Sequence, residues 1–267
     1  MELAPSYKNR SYPASVVGYP QEGLYTPTVD QRYRLGTRYQ DIDGNVYYYA
    51  KAGAVALAAG ELAQQAILGG ATTTDQVALA VATSSAIGDK FGYATILTTA
   101  QTGGLYDDGY YCVEDTTAAV GLGGMYKIKH DDVAKDVASA LTVASHKFTF
   151  YDPCRTAITA ATSIVRLITN PYKGLIQTPV TTVTGACMGG IPMAVTANYY
   201  FWLQTYGIFN VAGGASAAIS IGTFIQRSVV AGEAISGTAS LTTEVIGYAL
   251  AAITDDTDGP IMLTIRA

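Results

Sequence analysis

Turn signals divide this sequence of 267 residues into short segments, at intervals of roughly 8 to 15 residues. Two of these signals, Asp43-Gly44-Asn45 and Asp107-Asp108-Gly109, are of the kind that closes β-hairpins. The segments beside them, such as Val46–Lys51, are rich in Tyr and Val, which favour strands. The sequence therefore predicts an all-β or mainly β fold, built from short-stranded β-barrel or β-sandwich modules.

Eleven further segments have the alternation or the residue types of strands. They are Arg34–Gln40, Gln76–Val81, Tyr93–Thr99, Tyr110–Val113, Met125–Lys129, Lys147–Tyr151, Ile164–Thr169, Tyr199–Thr205, Phe224–Val230, Val245–Ala251 and Ile261–Arg266. The phrases Ala59–Leu62 and Ala231–Ala234 echo each other, and both predict a turn that leads into a strand. This echo leaves open whether the chain contains two related β modules.

Two alanine-rich segments compete with this interpretation, because alanine is the strongest helix former. In Ala50–Leu68, Gly53 and Gly60 would each weaken a helix by about 1 kcal/mol, so we expect strand and loop there. In Asp131–Ala144, charged residues are spaced among the alanines, and both a short helix and a loop remain open.

The first 35 residues differ from the rest of the chain. Pro5, Pro13, Pro20 and Pro27 alternate with tyrosines, which blocks long helices and favours extended conformations. A disordered terminus is the alternative, but disordered segments are typically poor in aromatic residues. We therefore expect an extended N-terminal arm over residues 1–35 that becomes ordered on a partner. A β-rich body domain over residues 36–185 and a C-terminal β module over residues 186–267 would follow.

Charge and hydropathy exclude several classes of partner. The chain has 16 basic and 21 acidic residues and a net charge of −5, whereas a nucleic-acid-binding domain shows a basic surface. No apolar run approaches the roughly 20 residues that a membrane-spanning helix needs. The first residues lack the apolar region of a signal peptide. We expect neither nucleic acid nor membrane among the partners.

The sequence contains none of the motifs that mark common catalytic sites. It lacks the GxSxG nucleophile elbow, the phosphate-binding GxxxxGK[ST] loop and the zinc-binding HExxH motif. Cys112, Cys154 and Cys187 lie too far apart for a zinc ribbon or a disulfide framework, and we expect buried free thiols. The glycines of 121–124 miss the spacing of a phosphate cradle and predict a turn.

Several acidic groups have the residue types of metal or acid–base sites, but each has a simpler interpretation. His130-Asp131-Asp132 predicts a solvated loop after a strand, because consecutive strand residues point to opposite faces. The Asp255–Gly259 segment lacks the complete register of a calcium loop and predicts an acidic surface turn. The pairs Asp107/Asp108 and Glu114/Asp115 lie at or beside predicted hairpin turns, where Asp is common. We expect no catalytic residues, no metal and no cofactor.

Seven segments resemble capsid-associated structural proteins of tailed bacteriophages, the class of head decoration or cement proteins. They are Leu105–Asp115, Tyr126–His130, Phe150–Arg155, Thr169–Gly174, Tyr199–Gly207, Val245–Leu250 and Ile261–Arg266. The resemblance begins near Tyr33 and continues to the C-terminus, and it carries over no functional residue position by position. It implies a virion component on the outer capsid shell, arranged as trimers or other symmetric clusters.

We therefore expect a late, non-enzymatic structural protein of the virion, assembled in the host cytoplasm, that cements neighbouring major-capsid subunits. Its partners would be the major capsid protein and further copies of itself. The arm residues Arg10, Tyr12, Arg32, Tyr33 and Arg34 are the candidate capsid contacts, because Tyr and Arg are enriched at binding hot spots. A receptor- or carbohydrate-binding fibre or spike module is the alternative, and a hydrolase is the least favoured.

Overall fold

A computed structural model describes residues 15–16, 20, 23–65, 76–95, 104–115, 123–133, 145–160, 162–179, 185–214, 218–228, 230–237, 244–255 and 257–266. These residues form strands, turns and loops, and none of them lies in a helix. The expected all-β class with barrel-like sheets is confirmed. Most of the expected N-terminal arm lies outside the described residues.

The described residues form 17 strands. In order they are β1 (Ser15–Val16), β2 (Arg38–Gln40), β3 (Val46–Ala52), β4 (Leu62–Gln64), β5 (Gln76–Ala80), β6 (Phe91–Thr95), β7 (Tyr110–Asp115), β8 (Met125–Val133), β9 (Ser145–Phe150), β10 (Ser163–Ile168), β11 (Lys173–Gln177), β12 (Cys187–Gly190), β13 (Tyr200–Ala212), β14 (Phe224–Arg227), β15 (Ala234–Ser236), β16 (Gly247–Ala249) and β17 (Asp258–Thr264).

These strands belong to two compact units. Unit 1 combines residues 1–67 with residues 171–267, and unit 2 comprises residues 68–170. The expected boundary near residue 186 falls inside unit 1, just before β12. Unit 1 is discontinuous because β4, from the first part of the chain, pairs with β11 and β12 from the second.

Unit 1 contains an 11-stranded sheet, part of which closes on itself. The sheet order β3-β11-β4-β12-β13 returns to its start, because the first half of β13 also pairs with β3. The second half of β13, from Tyr206 to Ala212, instead pairs with β17, and the sheet continues through β16, β14 and β15. The single long strand β13 therefore joins a closed barrel to an open sheet.

Aromatic side chains pack on both faces of the barrel wall. The Trp202 ring is buried and lies 5.2 Å from the rings of both Tyr33 and Tyr49. The run from Tyr47 to Tyr49 is buried at successive positions, so both faces of β3 are covered. Tyr48 stacks on Tyr172 with ring centroids 5.1 Å apart. Much of the tyrosine excess in the sequence therefore belongs to the core of unit 1.

Unit 2 is a six-stranded sheet with the order β5-β10-β7-β8-β9-β6. Its core is also aromatic: the ring of Phe150 lies 5.2 Å from both Tyr111 and Tyr126. Gly92 of β6 lies against this cluster, where an added Cβ atom would come within 2.8 Å of the Phe150 ring. The close approach of β6 to the aromatic core therefore requires glycine at this position.

In the part of the chain that the structure describes, three pairs of loops have the same backbone bonding pattern, two pairs in unit 1 and one in unit 2. In each pair, two central residues exchange both of their backbone hydrogen bonds at 2.8–2.9 Å. The central residues are Leu57 with Val195, Ser85 with Ile158, and Ile219 with Ile253. We call each arrangement a bridged loop pair.

The turn beside each bridge has the same register in all three pairs. A glycine three residues after the first central residue donates a hydrogen bond to a carbonyl four residues before the second. The donors and acceptors are Gly60 with Ile191, Gly88 with Cys154, and Gly222 with Ala249, each at 2.9 Å. The echo between Gly60 and Gly232 does mark two turns before strands, but the counterparts of Gly60 in this pattern are Gly88 and Gly222.

The turn glycine of the unit 2 pair provides a test of backbone strain. Gly88 has φ +94° and no atom within 4 Å of an added Cβ, so a side chain there meets strain without a steric clash. We expect Gly88→Ala to lower the free energy of unfolding by about 1–2 kcal/mol. Gly88→Asn should cost less, because Asn tolerates this conformation and Asn198 has φ +65° at the equivalent turn position of another loop. Urea unfolding of both variants measures the difference, and equal stability of the two would contradict this explanation.

Most strand positions agree with the sequence analysis, and the differences have local causes. β2 begins at Arg38 rather than Arg34, because Thr37 donates its backbone hydrogen bond to the Arg34 carbonyl and closes a turn. Ala50–Leu68 is strand and loop up to Gln65, as expected, and its last residues lie outside the described part. Residues 131–133 continue β8 and are neither the helix nor the loop left open for them.

Candidate functional site

Four apolar side chains form a row across one exposed face of unit 1. Ile208 of β13 is opposite Met262 of β17, Met262 is opposite Tyr248 of β16, and Tyr248 is opposite Phe224 of β14. Ile208 is 61% exposed, Phe224 53% and Tyr248 42%. Directly opposed residues share one face of a sheet, so these four side chains form a continuous surface, which we call the apolar row.

The alternation of β13 and β17 produces this face. In β13, Phe209 and Val211 are buried while Ile208 and Asn210 are exposed, and in β17 Ile261 and Leu263 are buried. The positions beside the row on the same face are also uncharged. They are Tyr206 opposite Thr264, and Asn210 opposite Pro260. A contiguous exposed apolar face of this kind is typical of interaction sites, whereas scattered apolar side chains are not.

A cleft of about 300 Å³ lies at the β13 end of the apolar row. Its lining residues are Tyr25, Ala59, Gly60, Pro192, Gln204, Ile208, Phe209, Asn210 and Asp258. One wall comes from a bridged loop pair, in which Gly60 donates a backbone hydrogen bond to Ile191 at 2.9 Å. The cleft therefore has a wall held by main-chain bonds.

Two side chains of the cleft are held in place by the protein. Gln204 is buried, and its Nε2 group donates to the Ile208 carbonyl at 2.8 Å, which directs Oε1 away from that carbonyl. The Tyr25 ring is 54% exposed, yet its hydroxyl is hydrogen-bonded to the side chain of Tyr47. Burial, together with this hydrogen bond, raises the pKa of Tyr47. Tyr25 is thus an exposed ring with a fixed position.

Unit 2 contains a buried network of acidic and histidine side chains. The Asp107 carboxylate accepts a hydrogen bond from the Asp131 backbone N–H at 2.7 Å and contacts His130 Nδ1 at 3.1 Å. The Asp131 carboxylate contacts His146 Nδ1 at 2.7 Å, and both side chains are buried. His130 and His146 are the two histidines of the chain. The predicted solvated loop at His130-Asp131-Asp132 is therefore wrong, because β8 extends through it and buries Asp131.

Asp107 and Asp108 lie in a turn before β7, as the sequence indicates. Both residues are also buried, which the sequence analysis did not address. Tyr151 donates its hydroxyl hydrogen to the Asp108 carboxylate at 3.1 Å, and the Asn170 side chain donates to the Asp108 carbonyl at 2.9 Å. The network closes a turn within unit 2. Its arrangement indicates a structural role.

The predicted capsid-contact residues differ in their surroundings. Arg10 and Tyr12 lie outside the described residues. Arg32 is exposed and lies 3.9 Å from Asp30. Tyr33 packs against Tyr49 and Trp202, so it anchors residues 23–35 to the barrel, and the backbone carbonyl of Arg34 accepts from Thr37. The structure therefore brings Arg32 to the surface and uses Tyr33 in packing.

The cysteines are free thiols, as the sequence predicts, and two of the three are buried. Cys154 and Cys187 lie in core clusters, whereas Cys112 is partly exposed. Burial is the main cause that raises the pKa of Cys187, to about 12, with a smaller contribution from Glu244. Cys187 therefore remains an unreactive thiol at neutral pH.

Neither metal ligation nor membrane insertion by a helix finds a candidate among the described residues. No group of three or more His, Cys, Asp and Glu side chains in that part of the chain could hold a metal ion. Within the same part, no helix is long and apolar enough to cross a membrane. Comparison with known proteins found no family model, no curated protein and no solved structure that matches this chain.

Proposed function

We propose that this chain is a non-enzymatic decoration protein of a bacteriophage capsid. It binds the outer surface of the assembled head and cements neighbouring major-capsid subunits. The observation that carries this proposal is the apolar row of Ile208, Met262, Tyr248 and Phe224 on one sheet face. The sequence resemblance to head decoration proteins supports the same assignment.

The apolar row has the properties of a preformed protein contact. Its side chains project from paired strands, so binding would order little backbone and would cost little conformational entropy. Phe224 and Tyr248 lie with ring centroids 5.3 Å apart and present an aromatic centre, and aromatic residues are enriched in interface cores. The uncharged neighbours of the row avoid the desolvation cost of buried charges.

Binding through several copies would strengthen attachment to a shell. A specific interface buries about 1,200–2,000 Å² in total, and a homotrimer would repeat that contact around a symmetry axis. Each bound copy then raises the effective concentration of the next. The net charge of −5 supports a protein partner rather than nucleic acid.

The arm supplies the second contact in this proposal, through Arg10 and Tyr12. We expect removal of residues 1–14 to weaken head binding while leaving unit 1 folded, because the deletion ends before β1. The measurement is co-sedimentation of the purified chain with heads of the encoding phage from which this protein has been stripped. Urea unfolding, followed by the fluorescence of the single tryptophan, Trp202, checks unit 1.

The two possible failures of this experiment have different meanings. Absence of the full-length chain from the head pellet, and from intact particles by mass spectrometry, would overturn the capsid proposal. If the truncated chain instead occupies the heads as fully as the full-length chain, only the role of the arm as a capsid contact would be excluded.

A further inference from the structure

We propose that the cleft of unit 1 binds one neutral hexose unit of a glycan. The proposal is independent of head binding, because it rests on the side chains of the cleft and not on the apolar row as a whole. Its volume of about 300 Å³ lies at the lower end of the range for ligand sites, which fits a ligand of one ring.

The Tyr25 ring provides the apolar part of the site. A pyranose has a C–H face that packs on aromatic rings, and 54% of Tyr25 is exposed for such a contact. The hydrogen bond between Tyr25 and the buried Tyr47 restrains the ring before a ligand arrives. Binding therefore loses little side-chain entropy at this position.

Three polar side chains provide partners for sugar hydroxyl groups. Gln204 donates its amide hydrogens to the carbonyls of Ile208 and Tyr206, which leaves Oε1 as an acceptor. Within the described residues, neither the Asn210 amide nor the Asp258 carboxylate has a side-chain hydrogen bond or an ion pair. Both line the cleft, on the neighbouring strands β13 and β17. An amide and two acceptors around one aromatic ring match the alternating donors and acceptors of a hexose.

Asp258 also determines the charge of the ligand. Among the described residues that line the cleft, Asp258 is the acidic one, and none is a lysine or arginine. A carboxylate strengthens hydrogen bonds from sugar hydroxyls and repels a second carboxylate. The cleft should therefore favour neutral hexoses over sialic acid.

Nuclear magnetic resonance titration tests this site with methyl glycosides of glucose, galactose and mannose at millimolar concentrations. We expect at least one of them to shift the backbone amides of Gly60, Asn210 and Asp258 in a saturable way. Tyr25→Ala should weaken that sugar about tenfold, and Tyr25→Phe, which keeps the ring, should weaken it less. Asp258→Asn should reduce the preference for the neutral sugar over N-acetylneuraminic acid.

Tyr248→Ala is the matched control, because it removes an exposed tyrosine of the apolar row and should leave sugar affinity unchanged. Thermal unfolding confirms that each variant is folded. The proposal is overturned if none of the three glycosides gives a saturable shift, or if Tyr25→Ala binds the sugar as well as the unmodified chain. An equal loss of sugar affinity in Tyr248→Ala would also contradict the proposal, since the sugar would then not be bound specifically by the cleft. None of these results bears on head binding, which the co-sedimentation assay measures separately.

Discussion

Asp131→Ala should destabilise unit 2 by about 3 kcal/mol or more, because it leaves buried groups without their acceptor. The Asp131 carboxylate lies 2.7 Å from His146 Nδ1 and 3.4 Å from the backbone nitrogen of Tyr106. His146 is itself buried, so water cannot replace the lost partner. Asp131→Asn keeps an acceptor oxygen in a side chain of the same size, and we expect it to destabilise unit 2 less than Asp131→Ala does.

Hydrogen exchange at the amides of β8 and β9 measures this effect within unit 2. The single tryptophan, Trp202, belongs to unit 1, so its fluorescence reports the other unit and should change little. Glu114→Gln is the control, because Glu114 contacts Arg166 at 2.7 Å in a partly exposed pair of the same unit, with both side chains about 40% exposed. Such pairs contribute about 0–1 kcal/mol. If Asp131→Ala is no less stable than Glu114→Gln, the network does not stabilise unit 2.

The burial of Asp131 shows where sequence reasoning reaches its limit. Turn chemistry predicted a turn at Asp107 and Asp108, and the structure has one there. The partners of these side chains were not predictable, since His146 lies 15 residues from Asp131 and Asp107 lies 24 residues from it. A register irregularity between Ile128 and His130 also disturbs the simple alternation on which the loop prediction relied. Local sequence patterns therefore predicted the turn at Asp107 and Asp108 but not the burial of Asp131.

The β class was predictable because it depends on local signals, whereas the contact face depends on long-range register. Strand β13 was expected only as far as Thr205. Beyond it, the exposed Tyr206 and Ile208 are as apolar as the buried Phe209, so the sequence shows no alternation of polar and apolar residues there. The row itself exists only because β17 and β16 align Met262 and Tyr248 with Ile208. The residue pattern of a single strand cannot predict which residues of neighbouring strands lie opposite each other.

The bridged loop pairs did leave a sequence signal. The second loop of each pair contains Ala, then Val or Ile, then Thr, at residues 194–196, 157–159 and 252–254. The first loop has glycine three residues after its central residue, at Gly60, Gly88 and Gly222. These short phrases are hard to detect in a chain rich in alanine and glycine, and only the shared hydrogen bonds make them equivalent.

Tyr248→Asp should weaken binding to phage heads at least about 30-fold, which corresponds to the loss of a hot spot of about 2 kcal/mol. Tyr248 lies inside the apolar row, opposite both Met262 and Phe224, so a carboxylate there would be desolvated on contact without a partner. The assay is co-sedimentation with stripped heads over a range of concentrations.

A matched substitution separates loss of the row from a general effect of added negative charge. Val55 is 70% exposed in a loop of unit 1 and outside the apolar row, so Val55→Asp adds the same charge elsewhere and should bind heads normally. Tyr248→Phe keeps an apolar ring and should retain most of the affinity, because the row then stays continuous. Circular dichroism and thermal unfolding identify any variant that fails to fold. Heads that bind Tyr248→Asp as tightly as Val55→Asp would exclude the apolar row as the capsid contact, since the two variants differ in where the charge is placed.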